Sequence, residues 1–146
     1  MDPEVVVQQF RSTDAHQMWM AAWSILQCND ADKVKTLKPY LPEFRNICHE
    51  INMGGAFRSN NESAELSFIC VENAFRGICR CKIYPQQNIL DPRREEDQGF
   101  ITILGSELLK EKYEEHFRVQ CQRCDDILNV REIVGGHVPR FVWRAA

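Results

Sequence analysis

Two close cysteine pairs, Cys79-Arg80-Cys81 and Cys121-Gln122-Arg123-Cys124, constrain this 146-residue chain more than any other feature. Zinc takes four soft or borderline ligands in a tetrahedron, and a Cys-x-x-Cys turn presents two thiolates to one ion. The second pair lies between two segments of strand character, the context of a knuckle. The alternation around Cys79 and Cys81 predicts a strand, which would place both sulfurs on one face. The 39 residues between Cys81 and Cys121 leave room for the pairs to meet. Cys79, Cys81, Cys121 and Cys124 are therefore the first-choice ligands of one structural zinc ion. His116 and His137 are alternatives, because with Cys121 and Cys124 they make a two-cysteine, two-histidine set, and mixtures of the two sets are open. Knuckles commonly place a small residue after the second cysteine; Asp125 stands there, and Asp tolerates the left-handed region better than most residues. Cys28, Cys48 and Cys70 read as small buried hydrophobes.

Seven cysteines are an odd number, so complete disulfide pairing would leave one thiol over. No secretory leader is legible at Met-Asp-Pro-Glu, and the apolar stretch Met18 to Leu26 is too short to span a bilayer. The sequence predicts an intracellular protein, cytoplasmic and/or nuclear, in which cysteines favour metals over disulfides.

The first third reads as helical. Ala15, Met18, Trp19, Ala22, Ile25 and Leu26 recur at helical spacing and predict a helix from Thr13 to Cys28. A short helix over Ala31 to Lys38 and another from Pro42, with Phe44, Ile47, Cys48 and Ile51 on one face, follow. Beyond Arg58 the reading changes. Glu65 to Val71, Ile78 to Tyr84, Phe100 to Leu104, Phe117 to Gln120, Ile127 to Val134 and Val138 to Trp143 predict extended segments, with a helix over Ser106 to His116. Pro85 to Gly99 reads as a solvated connection. The expected fold is α+β: a helical N-terminal part packed on a small, mostly antiparallel, zinc-stapled β-rich C-terminal part. We expect one domain over 1–146, with subregions 1–57 and 58–146.

The net charge is −3, which argues against strong non-specific nucleic-acid binding. The expected function is a non-enzymatic, zinc-stabilised adaptor or regulator that binds another protein. The compact, cysteine-rich build would suit a viral accessory protein or host antagonist. Arg123 in the knuckle turn and the tail residues Arg140, Phe141, Trp143 and Arg144 are the expected partner-binding residues. Arg80, Lys82, Arg118 and Arg131 would extend them into a basic patch, and Trp19 or Trp23 is a candidate surface aromatic. The same arginines and aromatics support an alternative, a nucleic-acid-binding zinc module. A third reading is enzymatic. Cys48-His49-Glu50 with a downstream Cys-x-x-Cys resembles part of the zinc deaminase pattern, although Gln120 stands where that pattern has proline. No phosphate loop, nucleophile elbow or His-Glu-x-x-His accompanies it.

Overall fold

A computed structural model describes all residues, 1–146. The protein is α+β, with six α-helices and a four-stranded antiparallel sheet. The chain forms two compact units, Met1–Arg80 and Cys81–Ala146.

The first unit is helical: α1 (Pro3–Arg11), α2 (Ala15–Leu26), α3 (Ala31–Lys35), α4 (Leu41–Glu50) and α5 (Asn60–Phe75). Aspartates begin the first three. Asp2, Asp14 and Asp30 each accept a hydrogen bond from a backbone N–H of the following turn, satisfying donors that a helix start leaves without partners. Thr13 adopts φ +58, which lets α1 turn into α2 within a few residues. Phe10, Phe44 and Phe68 form the aromatic centre of this core, with Phe10 stacked on Phe44 at 4.4 Å. Asn61 ties the end of α4 to the start of α5: its Nδ2 donates to the carbonyls of Cys48 and Ile51, and its Oδ1 accepts from the Met53 N–H.

Helix α5 replaces the strand expected over Glu65 to Val71. The β-branched and aromatic content of that segment is real, but Ala64, Phe68 and Val71 fall at helical spacing and are fully buried. Its start carries a Ser59…Glu62 capping-box pattern, and the Ser59 hydroxyl accepts from the Asn61 N–H. The change from helical to sheet structure accordingly falls at the Arg80/Cys81 division, not near residue 57.

Arg45 bridges Glu65 and Glu72 of α5 at 3.3 and 2.9 Å. The hydrogen bond from Arg45 holds the Glu72 carboxyl below the usual carboxylate range. A depressed folded-state pKa stabilises above the unfolded-state value, and that stabilisation disappears as pH falls through the folded one. We therefore expect Glu72→Gln to cost up to about 1 kcal/mol at neutral pH and nothing once the carboxyl is protonated. Urea unfolding from pH 7 down into the acid range checks this; a loss independent of pH would contradict it.

The second unit carries α6 (Pro92–Asp97) and strands β1 (Ile101–Leu109), β2 (Glu114–Cys121), β3 (Ile127–Ile133) and β4 (Arg140–Ala145), in the order β1-β2-β3-β4. The expected strands over 100–104, 117–120, 127–134 and 138–143 fall on these four. The helix expected over Ser106 to His116 is instead a β1–β2 hairpin, in which Glu107 pairs with His116 and Leu109 with Glu114. Its charged, leucine-rich composition favours a helix locally, but cross-strand pairing overrides that preference. Tyr113, at φ +51, closes the turn.

One sheet face is the core. Phe117, Val119, Leu128, Val130, Phe141 and Trp143 are buried there. The 81–100 connection covers them and is ordered by its contacts. Tyr84 stacks on Trp143 with ring centroids 4.1 Å apart, and its hydroxyl donates to buried Glu95 at 2.6 Å. The Trp143 Nε1–H donates to the Leu90 carbonyl at 3.0 Å. Arg93 reaches Glu115 and Glu132 at 2.6 and 2.5 Å and lies over the Phe117 ring. Burial opposes the charge of Arg93, but the hydrogen bonds it donates to Glu132 and Glu115 outweigh it and raise its pKa.

Candidate metal centre

The knuckle is built by the β2–β3 connection. The Cys121 N–H donates to the Asp126 carbonyl at 2.9 Å, and the Asp125 N–H donates to the Cys121 carbonyl at 3.0 Å. Asp125 adopts φ +61, the left-handed conformation that a small residue would take more easily at this point of the turn. Cys121 is buried at the end of β2, whereas Cys124 stands at the exposed tip.

The first pair arrives differently from expectation. Residues 78–84 do not form a strand; Arg80–Gln86 is a 3₁₀ turn with Cys81, Ile83 and Tyr84 buried. Burial at spacings of two and one breaks the alternation that the sequence implied. Cys79 directly precedes this turn and Cys81 lies within it. Arg80, between them, is no part of an outward basic patch: its Nη2 donates to the Leu26 carbonyl at 2.7 Å, satisfying an acceptor at the end of α2. Lys82 is exposed but engaged, with its ammonium 2.6 Å from Asp126 of the knuckle. This hydrogen bond holds the Asp126 carboxyl down and the Lys82 ammonium up in pKa.

The ligand atoms of Cys79, Cys81, Cys121 and Cys124 all lie within 4.8 Å of one another, so the four can hold a metal ion. The Cys81 and Cys124 sulfurs are 3.4 Å apart. That separation is far beyond a disulfide bond of about 2.05 Å. It is near the roughly 3.8 Å between thiolates on a tetrahedral ion bound at ~2.3 Å. No disulfide joins any of the seven cysteines.

The histidine alternatives are not brought to this cluster. His116 lies five residues before Cys121 on β2, about 17 Å along an extended strand. Its Nε2 is 3.0 Å from Glu114. His137 is exposed in the loop after β3, whose seven residues separate it from the knuckle by on the order of 20 Å. Cys48, His49 and Glu50 lie on α4, outside the cluster. Desolvation first, and the nearby Glu65 charge second, push the Cys48 thiol up to about 11, so it is protonated at neutral pH.

The expected partner-binding residues divide. Arg123, Arg140 and Arg144 are exposed. Phe141 and Trp143 are core side chains, 3% and 2% exposed, and offer no surface to a partner. They occupy alternate positions of β4 whose side chains turn to the covered face, while the arginines turn to solvent. Trp19 is partly exposed beside Met20 on α2, and Trp23 is half-buried.

No protein-family model matches the chain, and neither a curated protein nor a solved structure shows significant similarity to it. No helix is long and apolar enough to cross a membrane.

Proposed function

We propose that the four cysteines hold one structural zinc ion, and that the protein is a non-enzymatic interaction protein whose sheet unit is held in shape by that ion. The convergence of four thiols from two segments 39 residues apart carries this reading. Four protein sulfurs complete a tetrahedron, so such a site contributes folding energy and keeps no open position for a water nucleophile. Function then lies on the surfaces that the fold presents. In the sheet unit these include exposed arginines on the knuckle and on the strands, which suit recognition of an acidic partner.

Protein dialysed against a weak chelator should retain one zinc per chain by elemental analysis. Replacement by Co²⁺ should give the intense thiolate charge-transfer bands of a tetrahedral sulfur site. A metal-free but folded protein would overturn the proposal.

A further inference from the structure

The solvent face of the sheet is a groove of about 600 Å³. Cross-strand register places Gly105, Arg118, Asn129 and Arg144 in one row over all four strands. Arg118 and Arg144 thus flank Asn129 across two strand spacings, about 10 Å, and Arg131 lies two residues along β3, about 7 Å away. None of these three arginines has a carboxylate within ion-pair distance, although the Glu114 carboxyl, held down in pKa chiefly by its hydrogen bond with His116, also feels the Arg131 charge. A bulge between Ile103 and Gly105 resets β1 at this row. A Cβ on Gly105 would meet nothing within 4 Å, so the groove is open to an approaching ligand.

We propose that this groove binds a phosphorylated side chain of a partner protein. A phosphate monoester carries close to two negative charges and several strong acceptors. Arginine matches it with forked, charge-assisted donors, and three arginines surround one position here. Asn129 supplies a donor and an acceptor for the adjoining peptide backbone, and Val142 an apolar contact. A nucleic-acid strand fits less well. Phe117 faces inward, so the His116 imidazole is the one aromatic ring the groove presents, too little for a run of unstacked bases. Glu107 in the groove and Glu114 beside His116 would repel a continuous polyanion, while a single dianion can seat among the arginines.

The inference rests on the reading of the chain as an interaction protein, but not on the metal. The test is fluorescence anisotropy with three probes: a degenerate nine-residue peptide pool with central phosphoserine, the same pool with serine, and a twelve-nucleotide oligo-dT. The phosphorylated pool should bind at least about tenfold more tightly than the serine pool, the difference a charge-assisted anchor makes. Arg118→Ala with Arg144→Ala should abolish that preference. Gly105→Leu, which keeps every arginine but fills the groove, should weaken binding similarly. Both variants should keep the wild-type metal content and circular dichroism. Equal binding of the two pools, tighter binding of the oligonucleotide, no binding at all, or folded variants that bind like wild type would each overturn the proposal. Zinc content measured on the same samples separates the outcomes. A metal-loaded protein that ignores phosphopeptide sinks the groove alone, and a metal-free protein that binds it sinks the zinc centre alone.

Discussion

Replacing Cys121 with serine should release the metal and unfold the Cys81–Ala146 unit, while Cys28→Ser changes neither. Cys121 ends β2 and begins the knuckle, so strand, turn and the proposed zinc ligation meet at one residue. Structural zinc binding is worth about 10–16 kcal/mol in isolated zinc-finger peptides. That is as large as the whole stability of a typical domain, about 5–15 kcal/mol. A serine oxygen is a far poorer zinc ligand than a thiolate, so most of that contribution goes with the sulfur. Cys28 donates a weak bond to the Asp30 carbonyl at 3.7 Å, and no ion depends on it. The experiment pairs elemental analysis with amide NMR dispersion of both variants. Retention of one zinc and a dispersed sheet spectrum in Cys121→Ser would refute the ligand assignment.

Trp143→Ala should destabilise the sheet unit by about 3–5 kcal/mol, the range for removing a fully buried aromatic. The indole fills the space between the sheet and Tyr84, and its N–H satisfies the Leu90 carbonyl. Truncation leaves both a cavity and a buried acceptor without its donor, and the two losses act in the same direction. Arg140→Ala, on the exposed side of the same strand, should stay within about 0.5 kcal/mol of wild type. Urea denaturation of the two variants makes the comparison. A loss below about 1 kcal/mol for Trp143→Ala would show that the site repacks around the missing ring.

The cysteine cluster was legible because ligand chemistry is local. A short cysteine spacing keeps its meaning whatever structure carries it, and the Cys79/Cys81 pair reaches the cluster from the start of a 3₁₀ turn as well as it would from a strand. The histidines were misjudged for the opposite reason. Spacing counts residues, but a strand carries each residue about 3.3 Å farther along, and His116 is carried away from the knuckle. Helices α2 and α4 were visible because their apolar stripes are regular. Helix α1 went unpredicted although Asp2 and Pro3 offer a cap and a first-turn proline. The strand predicted at Glu65–Val71 and the helix predicted at Ser106–His116 failed together. In each, composition pointed one way, and burial pattern or cross-strand pairing, which depends on distant residues, decided the other. The β4 aromatics show how alternation separates roles: Phe141 and Trp143 share a strand with Arg140 and Arg144 but not a face.

The seating of Trp143 has an optical consequence. It is the sole tryptophan of the Cys81–Ala146 unit, whereas Trp19 and Trp23 both belong to the helical one. Its ring is shielded from solvent and lies flat on a phenol, so its emission should be blue-shifted while the sheet is intact and move to longer wavelength when it opens. Replacing Trp19 and Trp23 by phenylalanine would leave a chain whose intrinsic fluorescence reports on one half of the molecule, without an attached dye.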